Sequence, residues 1–277
     1  MAEQLASGAV RKMNNELDSP VQYSMLLGDQ EIPLNQYVGK ELQLDYEGAI
    51  NCVHCDRKTS KSFNQGFCYP CFKRLAQCDL CIMSPEKCHY AAGTCREPEW
   101  GEKFCMTDHY VYLANTSGLK VGITRGSQIP TRWMDQGATQ AVPIFRVDTR
   151  LHSGLVETLF KDHVADKTNW RAMLKGDAEP RDMAAERERL MAACAKELDA
   201  LRDKHGIQAI SILEDEPEVQ ISYPVQEYPT KVTSFNLDKT PSVGGTLTGI
   251  KGQYLIFDTG VINMRKYGGY QLSLSVD

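Results

Sequence analysis

The sequence predicts an α+β chain built in several parts, and three observations predict it. Nine of the ten cysteines fall between Cys52 and Cys105. The stretch that follows reads as strand, strand, helix, strand, helix. The two ends of the chain share a short pattern of Leu, Gly and Asp. The expected parts are the front half of a small β-module (19–51), a cysteine-rich segment (52–107), a ββαβα unit (108–175), a long helix (176–206) and the back half of the β-module (207–277).

At 277 residues the chain has room for roughly two cores. With 42% apolar and 24% charged residues it reads as an ordinary water-soluble chain. No apolar run approaches the roughly 20 residues that span a bilayer, so no membrane partner is expected. MAEQLASGAVRKMNNELDSP has no signal-like apolar stretch and reads as a soluble, frayed start. The expected location is the cytoplasm. The net charge of −5 argues against a polyanionic partner, but the charge is uneven. Residues 110–175 hold nine Lys/Arg against five Asp/Glu, and the local field decides such binding.

The chain ends align with one residue gapped. LNQYVGKELQLDYEGAIN (34–51) matches LTGIKGQYLIFDTGVIN (247–263) at Leu34/Leu247, Gly39/Gly252, Leu42/Leu255, Asp45/Asp258, Gly48/Gly260 and Ile50/Ile262. Both read as a strand, a turn and the start of another strand. The expectation is one β-module with the middle of the chain inserted; the alternative is a chance match of common residues.

CVHCDRKTSKSFNQGFCYPC places Cys52-x2-Cys55 twelve residues before Cys68-x2-Cys71. Two such pairs form a zinc-ribbon pattern, four thiolates about 2.3 Å from one tetrahedral ion. Four thiolates leave no open position, so the zinc is structural. Disulfides suit an oxidising compartment, and an iron–sulfur cluster is the smaller alternative. A second zinc set follows, with Cys78 and Cys81 acting together and Cys88 and Cys95 favoured as partners. Cys105 and His109 compete for those places, and His89 reads also as a hydrogen-bonded neighbour. Two structural zinc ions are therefore expected, with folding of the segment coupled to metal. Phe63, Phe67, Tyr69 and Phe72 interleave with Lys61, Lys73 and Arg74. They read first as a small core and second as a binding face.

In YVYLANTSGLKVGITR, Tyr110–Ala114 and Leu119–Thr124 flank the turn Asn115–Gly118 as a hairpin. Gly122 inside the second strand marks a close approach, read here as room for a phosphate or a neighbouring backbone. Tyr112 and Lys120 are expected side by side on one face. Pro130 opens a short helix over Thr131–Gln136. Ala141–Val147 is apolar and β-rich. Leu151–Val164 puts Leu155, Leu159 and Val164 toward one side. In the long helix Leu190, Cys194, Leu198 and Leu201 recur at helical spacing, Asp177 reads as N-cap and Gly206 as the stop. Cys194 reads as a packed small apolar side chain.

Over about residues 108–172 the chain resembles the GIY-YIG nuclease superfamily. Tyr110–Tyr112 (YVY) stands at the first motif, Lys120–Gly122 (KVG) at the second, Arg132 (PTRWMDQGA) at the helix arginine, Glu157 (LVETLF) at the metal-binding glutamate and Asn169 (KTNW) at the later asparagine. Tyr110 replaces the first motif's Gly and Lys120 the second motif's Tyr; some branches also carry K-[VI]-G. The resemblance implies a ββαβα nuclease core with one Mg²⁺ or Mn²⁺ on Glu157. Arg132 and the ion would neutralise the phosphate, Tyr112 or Lys120 would take a proton from water, and Asn169 would orient Glu157 or the phosphate. Taken singly, Tyr112 reads as a core aromatic, Arg132 and Glu157 as an ion pair, Asn169 as a turn cap and Lys120 as a solvated strand end. Over its whole length the chain also resembles a bacterial family known only as a domain of unknown function, which implies no activity. The expected function is metal-dependent cleavage of DNA or RNA. The alternatives are a non-catalytic RNA- or ribosome-binding protein, and a zinc-organised scaffold without nucleic acid.

Overall fold

Strands from both ends of the chain lie in one antiparallel sheet. The computed structural model describes residues 3–277. Across the sheet the order is Glu3–Ala9, Tyr270–Val276, Glu41–Asn51, Ser242–Lys251, Tyr254–Phe257 and Gly260–Asn263, with Lys58–Thr59 also on Glu41–Asn51. Strand Glu41–Asn51 is the joint: Leu44 pairs with Leu274 on one side and Val243 on the other. Its alternation drives this, since Leu42 and Leu44 are buried while Glu41 and Gln43 face solvent. A second sheet of Asn14–Glu16, Gln22–Leu27 and Gln30–Pro33 adds Met25 and Leu27 to the same core.

Two expectations change here. The stretch read as a frayed start is strand Glu3–Ala9, paired along Tyr270–Val276, so the sheet begins well before residue 19. The internal repeat also does not carry into conformation. Gly39 and Gly252 both turn with positive φ, at 90° and 64°. After them Glu41–Asn51 runs unbroken, whereas Tyr254–Phe257 turns back at Asp258-Thr259 into Gly260–Asn263.

The middle of the chain builds another sheet, ordered Ile210–Ile212, Gln140–Val147, His109–Asn115, Leu119–Arg125, with Val219–Gln220 also on Gln140–Val147. Its two faces enter different cores. Val111, Leu113 and Val121 meet Val156 and Phe160 of helix Arg150–Phe160, together with Leu190, Cys194 and Leu198. Tyr112 and Ala114 meet Trp133 and Met134 of helix Thr131–Asp135, and that layer is continuous with the core of the end-strand sheet.

Asp135 fixes this second layer. Its carboxylate takes Lys12 Nζ at 2.6 Å, Asn15 Nδ2 at 2.8 Å and Gln253 Nε2 at 2.9 Å. Gln253 in turn bonds both backbone groups of Met13. A polar network of this kind sets the docking more specifically than apolar contact alone, with only Asn15 Oδ1 of these groups buried without a partner.

The single helix expected over 176–206 is two: Met183–Ala193 and Ala195–His205, joined at Cys194. Pro180 explains the late start, because it disfavours helical conformation just before it. Asp182, not Asp177, caps the first helix by accepting from Ala185 N at 3.0 Å. Asp177 instead holds the buried Lys251 ammonium at 2.7 Å. Gly206 ends the second helix with φ +97°, and Cys194 is buried between Leu190 and Leu198. Among the described residues no helix is long and apolar enough to cross a membrane.

Candidate functional site

Two groups of side chains carry chemistry. The first is the cysteine cluster. The sulfurs of Cys52, Cys55, Cys68 and Cys71 all lie within 4.8 Å of one another. A tetrahedral ion with about 2.3 Å bonds to sulfur needs sulfurs about 3.8 Å apart. Cys55 and Cys68 are 3.8 Å apart. Strand Glu41–Asn51 delivers Cys52, and helix Tyr69–Arg74 begins between Cys68 and Cys71.

The protonation of these thiols fits a cation. Burial pushes the Cys52 thiol up, but backbone N–H groups of Cys68, Cys55 and His54 outweigh it and bring Cys52 down to about 6. Burial and the three neighbouring sulfurs push Cys71 well up. Four such thiols do not ionise together without a positive charge among them. The donor set therefore fits a structural zinc. Phe67 and Phe72 pack on these cysteines as the segment's small core, with Leu75 and Cys78.

Of the favoured second set, Cys81, Cys88 and Cys95 line one cavity with the competitor Cys105, and Cys78 lies apart from them. Cys78 belongs to that first core. Cys81 forms a compact group with Asp79 and His89 instead. His89 is hydrogen-bonded, through Nδ1 to Thr94 Oγ1 at 2.8 Å. His109 is buried, and its Nδ1 bonds Thr107 O at 2.7 Å.

The second group lies in the central unit. Tyr112 stands opposite Gly122, and Lys120 opposite Ala114, so Tyr112 and Lys120 share one face of the hairpin. The reason for the strand glycine differs from the one expected. A Cβ on Gly122 would lie 2.6 Å from Tyr112 Cζ and Oη, so the space belongs to the Tyr112 ring rather than to a phosphate. That ring is fully buried, meets Trp133 edge-on at 6.0 Å and donates its hydroxyl to Gln136 Oε1 at 3.1 Å.

Arg132 and Glu157 act on this hairpin electrostatically from two helices. The charge of Arg132 opposes the rise of the Tyr112 phenol, and that of Glu157 adds to it. Burial and the charge of Arg132 bring the Lys120 ammonium down to about 8, against the pull of Glu157 and Asp166. Lys120 is therefore a buried strand residue, 5% exposed, and not a solvated strand end. Burial raises the Tyr112 phenol, and Arg132 and Gln136 only partly oppose it. Burial raises the Glu157 carboxyl, opposed first by Lys161. Lys161 Nζ is 3.4 Å from Glu157 Oε2 and 3.6 Å from Asp166 Oδ2.

Asn169 takes a different place. It caps the short helix Trp170–Met173, accepting from Ala172 N at 3.2 Å, while its own N–H bonds Ser117 Oγ at 2.9 Å. Sequence reading missed Gln136, Lys161 and Asp166. The four-residue step from Glu157 to Lys161 was a usable signal, since that spacing shares a helix face. Nothing local marks Gln136.

The chain belongs to the family described as protein of unknown function (DUF2797), whose model matches residues 39–272. No curated protein and no solved structure matches it.

Proposed function

We propose that the central unit is a divalent-metal-dependent phosphodiesterase site of GIY-YIG type acting on DNA or RNA, in a cytoplasmic, zinc-bearing protein. One observation carries the reading. Tyr112 and Lys120 share one face of the hairpin, and the charges of Arg132 and Glu157, from two helices, act on both of them. A core aromatic, an isolated ion pair or a strand-end lysine would each explain one of them, but not the electrostatic coupling among all four.

Phosphodiester hydrolysis needs a proton acceptor for water, positive charge on the phosphate and a stabilised leaving oxygen. Lys120 is the better acceptor. With its ammonium near 8, a useful fraction is neutral at working pH. Tyr112 is a poor base because burial keeps its phenol protonated. It serves as a fixed neutral hydroxyl that donates to Gln136 and can accept from Arg132. Arg132 supplies charge to the phosphate. Glu157 is the ligand for one Mg²⁺ or Mn²⁺, a hard cation that keeps several waters, and the ion would add charge at the phosphate and acidify a bound water. Lys161 faces Glu157, so an ion held by Glu157 would compete with its ammonium.

A second reading rests on that same contact. If Lys161 stays on Glu157, the unit binds nucleic acid without cutting it. The deciding experiment mixes the full chain with labelled single- and double-stranded DNA and RNA, with Mg²⁺, Mn²⁺ or EDTA. Metal-dependent cleavage of at least one substrate is expected. Salt-sensitive binding without cleavage would move the protein to the second reading, since phosphate contacts release counterions. Absence of both would leave a zinc-organised scaffold.

A further inference from the structure

We propose that Cys81, Cys88, Cys95 and Cys105 form a second, tetrathiolate zinc site that seats the cysteine-rich segment on helix Arg150–Phe160. All four cysteines line one cavity, with Asp79, His89 and Gly101, though their sulfurs do not all lie within 4.8 Å of one another as those of the first cluster do, so the side chains would turn inward to meet an ion. The enclosed space is about 10 Å³ for the centre of a water-sized sphere, enough for one water or ion. Gly101 is needed at its wall, because a Cβ there would sit 3.3 Å from Cys95 Sγ and 3.0 Å from the Tyr90 ring.

The surroundings favour four thiolates over the compact Asp79–Cys81–His89 group. The Asp79 carboxylate is already engaged: Arg96 Nε lies 2.6 Å from it, Leu80 N donates to it at 2.6 Å, and His89 Nε2 is 3.4 Å away. His89 spends its other ring nitrogen on Thr94. Both residues fit an outer ring that orients ligands. Cys78 is excluded because it packs into the core of the first cluster.

Arg150 is the independent observation. Four thiolates around Zn²⁺ leave a net charge of −2, which wants buried N–H donors close by. Arg150 reaches the site from the helix side. Its backbone N donates to Cys105 O at 2.8 Å and its Nη2 to Ile82 O at 2.7 Å. Its charge acts on Cys105 and Cys81. Its Nε is buried with no partner, although a buried guanidinium donor without an acceptor is costly. Thiolate sulfur on zinc supplies the missing acceptor charge. Each thiol gives up its proton as it binds the ion.

The site would have a mechanical role. The chain between Cys81 and Cys88 contains Pro85–Lys87, which lies directly on Gly154. A Cβ at Gly154 would come within 2.6 Å of Pro85 Cβ. Gly154 is one helical turn before Glu157. Closing residues 81–88 around an ion therefore fixes the helix that presents Glu157, whether or not the central unit cleaves nucleic acid.

The test measures zinc per chain by mass spectrometry on the full chain purified under reducing conditions. Two ions are expected in the wild type and in Cys78→Ser and His89→Ala, and one in Cys105→Ser. Because Cys105 is buried and its replacement perturbs folding, thiol alkylation of the native wild type, mapped by peptide, gives a second measurement. Cys81, Cys88, Cys95 and Cys105 should be protected until a strong zinc chelator is added, then all label together. One zinc in the wild type, two in Cys105→Ser, loss of an ion in His89→Ala, or protection of the four thiols that the chelator does not change would each overturn the proposal.

Discussion

Gly122→Ala tests how the hairpin holds Tyr112. The new Cβ would stand 2.6 Å from Tyr112 Cζ and Oη and 3.0 Å from Cε2. Relaxed carbon contacts begin near 3.5 Å, so the ring must move by roughly 1 Å. It has no free space, being fully buried and set edge-on against Trp133. Overpacking of this kind costs about 1–3 kcal/mol. Losing the hydroxyl bond to Gln136 adds about 1 kcal/mol. Alanine in place of a strand glycine returns about 0.5–1 kcal/mol. The net expectation is a loss of about 2 kcal/mol, read from urea unfolding in zinc-replete buffer. In a Tyr112→Leu background the atoms that clash are gone, so the same substitution should cost less than about 0.5 kcal/mol. An equal loss in both backgrounds would refute the assignment of that space to the ring.

Three further outcomes follow from the same geometry. If Lys120 is the base, cleavage should rise with pH as the ammonium loses its proton and level off above about 8; a rate that falls through the same range would make Lys120 a phosphate contact. Asp135→Ala should lower stability by about 2–4 kcal/mol, because it strips Lys12, Asn15 and Gln253 of one shared partner; a change below about 0.5 kcal/mol in denaturant midpoint would remove the network from the docking of helix Thr131–Asp135. Cys55→Ser should release one zinc and speed amide exchange through residues 52–78 while strands His109–Asn115 and Leu119–Arg125 keep theirs; unchanged metal content would contradict the first cluster.

What could be read from sequence was what is local. The Cys52/Cys55/Cys68/Cys71 cluster was legible because ligand spacing on a knuckle is a short-range property. The second set was legible only in part: Cys81, Cys88 and Cys95 were favoured and Cys105 stood as a competitor, but Cys78 is drawn into a hydrophobic core that spacing cannot reveal. The alternation around Leu42 and Leu44 marked a strand, whereas EQLASGA at residues 3–9 is small and polar at most positions and takes its strand form from pairing with Tyr270–Val276. Asp177 looked like a cap by type, yet Pro180 delays the helix and the buried Lys251 claims the carboxylate. Tyr112, Arg132 and Glu157 could be picked out one by one. Their electrostatic coupling depends on how two helices pack against the two faces of one sheet, and only the fold supplies that.

The most direct test is single-turnover cleavage of the best substrate in Mg²⁺ or Mn²⁺ by the wild type, Glu157→Gln and Asn169→Ala, side by side. Glu157→Gln should lose at least about 100-fold, the scale expected for removing a charge-stabilising group. Asn169→Ala should stay within about threefold of the wild type, because its side chain only caps a short surface helix. Cleavage by Glu157→Gln at the wild-type rate would place the activity outside this site and contradict the account.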